Sequence, residues 1–190
     1  IHDEAVLGFM VENLGPKNKD VDESAYLSEK HMRNVLDVIL NQSATKLGMQ
    51  NGKGRTYEGI LTVKSISIAQ KYYELLKKIK NGQDELKISE DIQKALPDFP
   101  KFAITYSISE NEEASTVNQD KMKESLEDYN EMFGTNYKLE AINAYNSNLN
   151  DRLARKEKKY LERSQQLDLV IVVDRLLTGF DAPCLSTLFM

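Results

Sequence analysis

Leu169-Val170-Ile171-Val172-Val173 is an unbroken apolar run in which four of the five residues are β-branched. With no polar residue at alternate positions, it fits a strand covered on both faces, as in a parallel sheet. Gly59-Ile60-Leu61-Thr62-Val63 and Phe102-Ala103-Ile104-Thr105-Tyr106 read as two further strands, and Leu185 to Met190 begins one more. Helical spacing fills the intervals. Ile68, Ala69, Tyr72, Tyr73, Leu75, Leu76 and Ile79 predict a helix entered through Lys64-Ser65-Ile66-Ser67 and ended by Asn81-Gly82. Residues 84–96 predict a short helix stopped by Pro97. Met122, Leu126, Tyr129 and Phe133 predict another over 120–133. Upstream, Ser28 caps a predicted helix to about Asn41 whose apolar stripe is Met32, Val35, Leu36, Ile39 and Leu40. Leu139 to Ala144 reads as either strand or helix, and Asn150 or Asp151 is expected to cap a charged helix reaching about Gln165. Strands alternating with helices make the expected class α/β with a mostly parallel sheet. Ligands of such sheets sit on loops beyond the carboxyl ends of strands, which singles out residues 64–67 and 178–183.

Composition narrows the function. At 190 residues, the chain is one large domain or a domain with an appendage. With 41% apolar and 29% charged residues, it is neither a disordered tail nor a disulfide scaffold. The 30 acidic residues outnumber the 25 basic ones, for a net charge of −5. A protein that coats nucleic acid electrostatically is basic, so any DNA contact here must be local. The lone cysteine, Cys184, excludes an internal disulfide and fits a reducing, cytoplasmic setting. Two histidines, His2 and His31, argue against a zinc site. No apolar run approaches the ~20 residues of a membrane span. The chain starts at Ile1 without a signal-peptide pattern and stops inside the strand-like Leu188-Phe189-Met190, so a piece of a longer protein is expected.

Most motif candidates are weak. Gly48-Met49-Gln50-Asn51-Gly52-Lys53-Gly54 lacks the spacing, the following hydroxyl and the preceding strand of a phosphate loop. Asp174 ends a strand as a magnesium-holding aspartate would, but no phosphate loop precedes it. Pro97-Asp98 with Glu157 and Lys159 imitates a metal-dependent nuclease signature. On a helical charge run, however, residues two apart do not converge. Arg152, Arg155, Lys156, Lys158, Lys159 and Arg163 make 151–163 the most basic stretch, either a phosphate-facing surface or a solvated helix face. Cys184, with no histidine near it in sequence, reads as a small buried thiol. In Leu176-Leu177-Thr178-Gly179-Phe180-Asp181-Ala182-Pro183, Gly179 permits close backbone approach, Thr178 can hold a phosphate oxygen, and Asp181 can accept from a ribose or an arginine. An ordinary strand-to-strand turn explains these residues equally well.

Residues 172–183, followed by Leu185-Ser186-Thr187-Leu188, closely resemble motif V of the motor (R) subunit of type I restriction endonucleases, which are superfamily 2 helicase-like translocases. Other segments are similar in the family's order. Residues 1–7 resemble the entry into the second motor domain and residues 31–40 a bridging helix. Residues 59–76 resemble motif IV, and residues 102–113 with 128–135 follow the layout beyond it.

The resemblance implies a RecA-like three-layer domain with a mostly parallel sheet, preceded by a helical lead-in. Residues 1–57 would be the lead-in and bridging helix, and residues 58–190 the second RecA-like domain, truncated at its C-terminus. It implies that Ser65 and Thr178 contact the DNA backbone, that Gly179 and Asp181 lie at the nucleotide cleft, and that no metal ligand is supplied. The full-length parent would be an ATP- and Mg2+-dependent site-specific deoxyribonuclease that moves double-stranded DNA. Its partners would be the modification (methyltransferase) and specificity subunits and the first RecA-like domain of the same chain. The alternatives are the second motor domain of another superfamily 2 helicase, or a non-enzymatic α/β interaction module. No phosphate-binding lysine loop, acidic magnesium box or arginine-bearing motif VI occurs in these residues, so no catalytic set is complete and no bound cofactor is expected. The isolated chain should therefore neither hydrolyse ATP nor cut DNA. Phosphate release above background from the purified chain with DNA present would overturn this.

Overall fold

The computed structural model describes residues 27–43, 57–107, 115–173 and 184–190. Strands β1 (Glu58–Val63), β2 (Phe102–Thr105), β3 (Leu169–Val173) and β4 (Leu185–Phe189) form one sheet in the order β2-β3-β1-β4. Every pairing in it is parallel. The helices are α1 (Glu29–Asp37), α2 (Ile66–Lys80), α3 (Glu90–Ala95), α4 (Ser115–Phe133) and α5 (Ile142–Leu153). The α/β expectation holds. β3 lies between two strands and is buried on both faces through Leu169–Val172, which is why its sequence carries no polar alternation.

Helix starts and stops follow local chemistry. The Ser28 hydroxyl accepts from the His31 N–H, and the Ser65 hydroxyl accepts from the Ile68 N–H. α2 buries Ala69, Tyr72, Tyr73, Leu75, Leu76 and Ile79. It ends where Gly82 adopts φ 70° and Gln83 N–H donates to the Lys78 carbonyl, a closure that a left-handed residue makes possible. α4 packs Met122, Leu126, Tyr129 and Phe133 into the same core. Lateral bonds join α2 to α4: Tyr73 Oη donates to Asp128 at 2.9 Å, and Lys77 Nζ sits 2.7 Å from the same carboxylate.

Several boundaries differ from the sequence reading. The first helix is α-helical only to Asp37 and continues as a wider π turn over Val38–Gln42, which buries Ile39 and Leu40. Of residues 84–96, only Glu90–Ala95 is helical. Asp84 instead accepts from the Leu86 N–H and from the Arg33 guanidinium, so it organises a turn. α4 begins at Ser115, before the expected Asp120. The ambiguous stretch at 139–144 is a 3-10 turn, Leu139–Ala141, running into α5.

The largest correction concerns the charged helix expected from Asn150 or Asp151 to Gln165. Asn150 and Asp151 lie in the last turns of α5 and cap nothing, because the apolar stripe Tyr145, Leu149, Leu153 starts the helix earlier. The helix stops at Leu153. Arg155 takes φ 48°, its N–H donates to the Arg152 carbonyl, and the Lys156 N–H donates to the Asp151 carbonyl. Beyond it, residues 154–166 form a strap of short 3-10 turns, Lys158–Leu161 and Arg163–Gln165.

Arg152 locks that strap to the core. It is 2% exposed. Its guanidinium carbon lies 3.8 Å from the Phe133 ring centre and 4.9 Å from that of Tyr160. It donates to Asn148 Oδ1, to the Gln165 carbonyl and to Gln165 Oε1 at 2.8–3.0 Å. Among the described residues no carboxylate pairs with it. Ring faces and neutral oxygens carry the charge instead. Arg152→Ala should cost roughly 3–5 kcal/mol, because it opens a cavity and orphans several acceptors. Arg152→Lys should restore only part of this, since an ammonium lacks the planar fork. Urea unfolding midpoints of the three proteins test the order.

Candidate functional site

The carboxyl ends of three strands are level. Thr62 pairs with Val172, Thr105 pairs with Val172 from the other side, and Val63 pairs with Val173. Ser65 follows the end of β1 by two residues, with extended backbone (φ −151°, ψ 157°). Its hydroxyl accepts from Ile68 N at 3.3 Å and lies 3.2 Å from Ser67 Oγ, and its carbonyl accepts from Ala69 N at 3.0 Å. A hydroxyl that accepts from the helix still has its own proton to donate. The first-turn N–H groups of Ile66 and Ser67 have no acceptor within the helix. Together these groups can hold an anionic oxygen at the sheet edge.

Buried polar contacts brace that edge. Gln70 Nε2 donates to Tyr106 Oη at 3.1 Å and to Asn118 Oδ1 at 3.0 Å, while Tyr106 Oη donates to the Asn118 carbonyl. Thr105 Oγ1 donates to Asn146 at 2.7 Å. The tops of β2, α2, α4 and α5 are thereby tied together. Thr178, Gly179 and Asp181 lie outside the described residues, as do Asp174 and the glycine-rich residues 48–54.

The nuclease-like set does not assemble. Asp98 pairs with Lys101 and Arg163, whereas Glu157 pairs with Lys159 at 2.9 Å on the exposed strap. Burial pushes the Asp98 carboxyl up, but the Lys101 hydrogen bond and the Arg163 and Lys101 charges outweigh it and hold the group below the usual range. Cys184 is half-buried and precedes β4; its carbonyl accepts from the Glu58 N–H.

The basic stretch lies at the other edge of the sheet. It straps the amino ends of the strands, opposite Ser65. Arg163 forks onto Asp168 at 2.6 and 2.9 Å and also donates to Asp98 at 3.0 Å. Arg155 donates to Glu58 Oε1 at 3.2 Å. Lys156 pairs with Asp151, and Lys159 with Glu157. Its three arginines are engaged inside the fold, while Lys156, Lys158 and Lys159 lie exposed on an irregular strap, so the stretch is not a solvated helix face.

Further lysines without an ion pair among the described residues line a groove that sequence reading missed. A cavity of about 320 Å³ runs beside α2, floored by Met32 and Leu75. Ser67 and Lys71 line it from α2, and Lys121 lines it from α4. The spacing Ser67, Gln70, Lys71, Glu74, Lys78 marks one polar face of α2 and is visible in the sequence. The approach of Lys121 is not.

An all-parallel α/β sheet with an anion-competent turn at its carboxyl edge defines the class. Comparison with known proteins narrows it. The family model for type I restriction enzyme subunit R domain 3 matches residues 55–190, and the chain belongs to that family. Among curated relatives, the endonuclease subunit of a type I restriction enzyme from Staphylococcus aureus strain MRSA252 is 27% identical over 206 residues, covering 100% of this chain and 20% of the relative. A counterpart from Staphylococcus saprophyticus is 28% identical over 204 residues, with the same coverage. The chain thus spans about a fifth of the length of these relatives. Among the described residues no helix is long and apolar enough to cross a membrane.

At the strapped edge, Glu58 is fully buried, and among the described residues its Oε2 has no hydrogen-bond partner. Burial pushes its carboxyl up to about 8, against the pull of Arg155. Its folded value lies above its ordinary one of 4.5, so its contribution to stability is full below about pH 4.5 and is lost as pH rises towards 8. Glu58→Gln should therefore unfold at higher urea than the parent at pH 8.5, with the gap shrinking towards pH 5. A gap that does not grow with pH would contradict the assignment.

Proposed function

We propose that this chain is the second RecA-like motor domain of a type I restriction R subunit, with residues 1–57 as its lead-in and bridging helix and residues 58–190 as the domain itself. The intact subunit would be an ATP-dependent DNA translocase and endonuclease. It would work in the cytoplasm on double-stranded DNA with modification and specificity subunits. This domain would supply half of a cleft, whose other half is the first RecA-like domain. The observation that carries the reading is the family match over residues 55–190, joined to the Val63–Val173 pairing that sets the Ser65 turn beside the end of β3. Residues 178–181 follow β3 in the chain.

In this reading, Ser65 and Thr178 hold the DNA backbone through hydroxyl and amide donors, contacts that position without reading sequence. Gly179 and Asp181 face the nucleotide. One glycine and one carboxylate suit a ribose or a coupling hydrogen bond, not a triphosphate and its Mg2+. On the family resemblance, the phosphate and metal ligands would come from outside this domain. When bound, ATP supplies the free energy of hydrolysis that works the cleft. This chain's part is to grip DNA at one edge and register the nucleotide beside it.

In the intact subunit, Asp181→Ala should abolish DNA-stimulated ATP hydrolysis while leaving thermal unfolding unchanged. Hydrolysis at the parental rate would remove Asp181 from the mechanism.

A further inference from the structure

The Ser65 turn is a single point of contact, and a motor that moves along DNA needs a track. The arginines of 151–163 do not supply one, because Arg152, Arg155 and Arg163 are held at the opposite edge or within the core. Lys71 and Lys121 differ from them. Neither makes an ion pair among the described residues, and they approach the same groove from two helices. Both sit near the starts of helices that leave the carboxyl edge of the sheet: Lys71 in the second turn of α2 and Lys121 in the second turn of α4. Ser67, whose hydroxyl touches that of Ser65 at 3.2 Å, opens the groove at its upper end. From Ser67 to Lys71 is one helical turn, about 6 Å of rise. A chain of phosphates held at Ser65 therefore meets a hydroxyl and then two unpaired ammonium groups.

The groove's carboxylates bound the track. Glu29 is engaged by Arg33 Nη2 at 3.1 Å, and Glu74 lies a further turn down α2, away from Ser65. Lys78 lines the far end beyond Glu74, so Lys71 and Lys121 are the groove lysines nearest to Ser67 on their helices. Gln70, fixed by Tyr106 and Asn118, holds α2 and α4 at the spacing that lets Lys71 and Lys121 converge.

We propose that Ser67, Lys71 and Lys121 form a second phosphate-binding position, which takes the DNA sugar-phosphate backbone onward from Ser65. The proposal rests on the reading that Ser65 touches DNA, and its test separates the two. In the intact R subunit, binding of a fluorescein-labelled 30-base-pair duplex is followed by anisotropy between 50 and 200 mM KCl. Each phosphate contact contributes a slope of about −0.9 in log affinity against log salt, so Lys71→Gln with Lys121→Gln should reduce the slope by about 1.8. Affinity at 150 mM should fall roughly 5- to 30-fold, equally for unrelated duplex sequences. Lys71→Arg with Lys121→Arg should restore the slope. Lys156→Gln with Lys159→Gln, which touches only the strap, should leave affinity within about twofold. Ser65→Asp keeps the helix cap but repels phosphate, and it probes the first contact with both lysines in place.

An unchanged slope and affinity in the Lys71/Lys121 double variant overturns the proposal. If Ser65→Asp alone weakens binding, the Ser65 reading survives without the track. If the lysine pair alone weakens it, the phosphate position stands and the Ser65 contact falls. If neither does, both fall. A loss as large in the Lys156/Lys159 pair would show a general charge effect and would also overturn the assignment of this groove.

Discussion

The rest of the structure hangs on one buried carboxylate. Asp168 immediately precedes β3 and is fully buried. It accepts the Arg163 fork through both oxygens and the Lys101 backbone N–H at 2.7 Å. Lys101 immediately precedes β2. One side chain thus sets two strands level and anchors the strap. A buried carboxylate is costly unless its lone pairs are filled, and here they are filled by a bidentate cation and an amide. Arg163 reaches Asp98 as well, and Lys101 Nζ sits 3.0 Å from Asp98 while donating to the Arg163 and Ser164 carbonyls. The knot is closed on itself, so no member can be removed without leaving a buried partner unsatisfied.

That knot divides the molecule into two edges with opposite tasks. At the amino edge, arginines are held inside the fold: Arg155 by Glu58, Arg163 by Asp168 and Asp98. At the carboxyl edge, donors stay available: the Ser65 hydroxyl proton, the first amides of α2, and the lysines of the neighbouring groove. On the proposed reading, a chain with net charge −5 would engage a polyanion in this way, because local unpaired cations count for more than the total. On that reading, stability and recognition would draw on separate basic residues.

Aromatic and amide groups connect the edges. Tyr129 packs edge-on against Phe133 and Tyr145, at 4.8 and 4.9 Å between ring centres. Tyr145 Oη donates to the Ile104 carbonyl. Arg152 stacks on Phe133 and fixes the strap, while Gln70, Tyr106 and Asn118 fix the opposite end of the same helices. The layer of α4 and α5 is therefore a rigid spacer between the strap and the candidate DNA edge.

The sequence by itself determined the strands, the α/β class, the Ser28 cap and the family, because these depend on local pattern. β-branched runs need no distant partner to be read, a serine cap acts within one helical turn, and the motif around Thr178, Gly179 and Asp181 is contiguous. Only the tertiary structure decided the fate of the charges. Nothing local distinguishes Arg163, which binds a carboxylate five residues on and another sixty-five back, from Lys158 on the surface. Nor could helical spacing foresee that Arg155 would enter the left-handed region and end α5, since its partner Glu58 lies ninety-seven residues away. Lys71 and Lys121 belong to different helices, and their shared groove exists only because the sheet sets those helices side by side. Charge–charge energy depends on distance and burial, and neither is written in the order of residues.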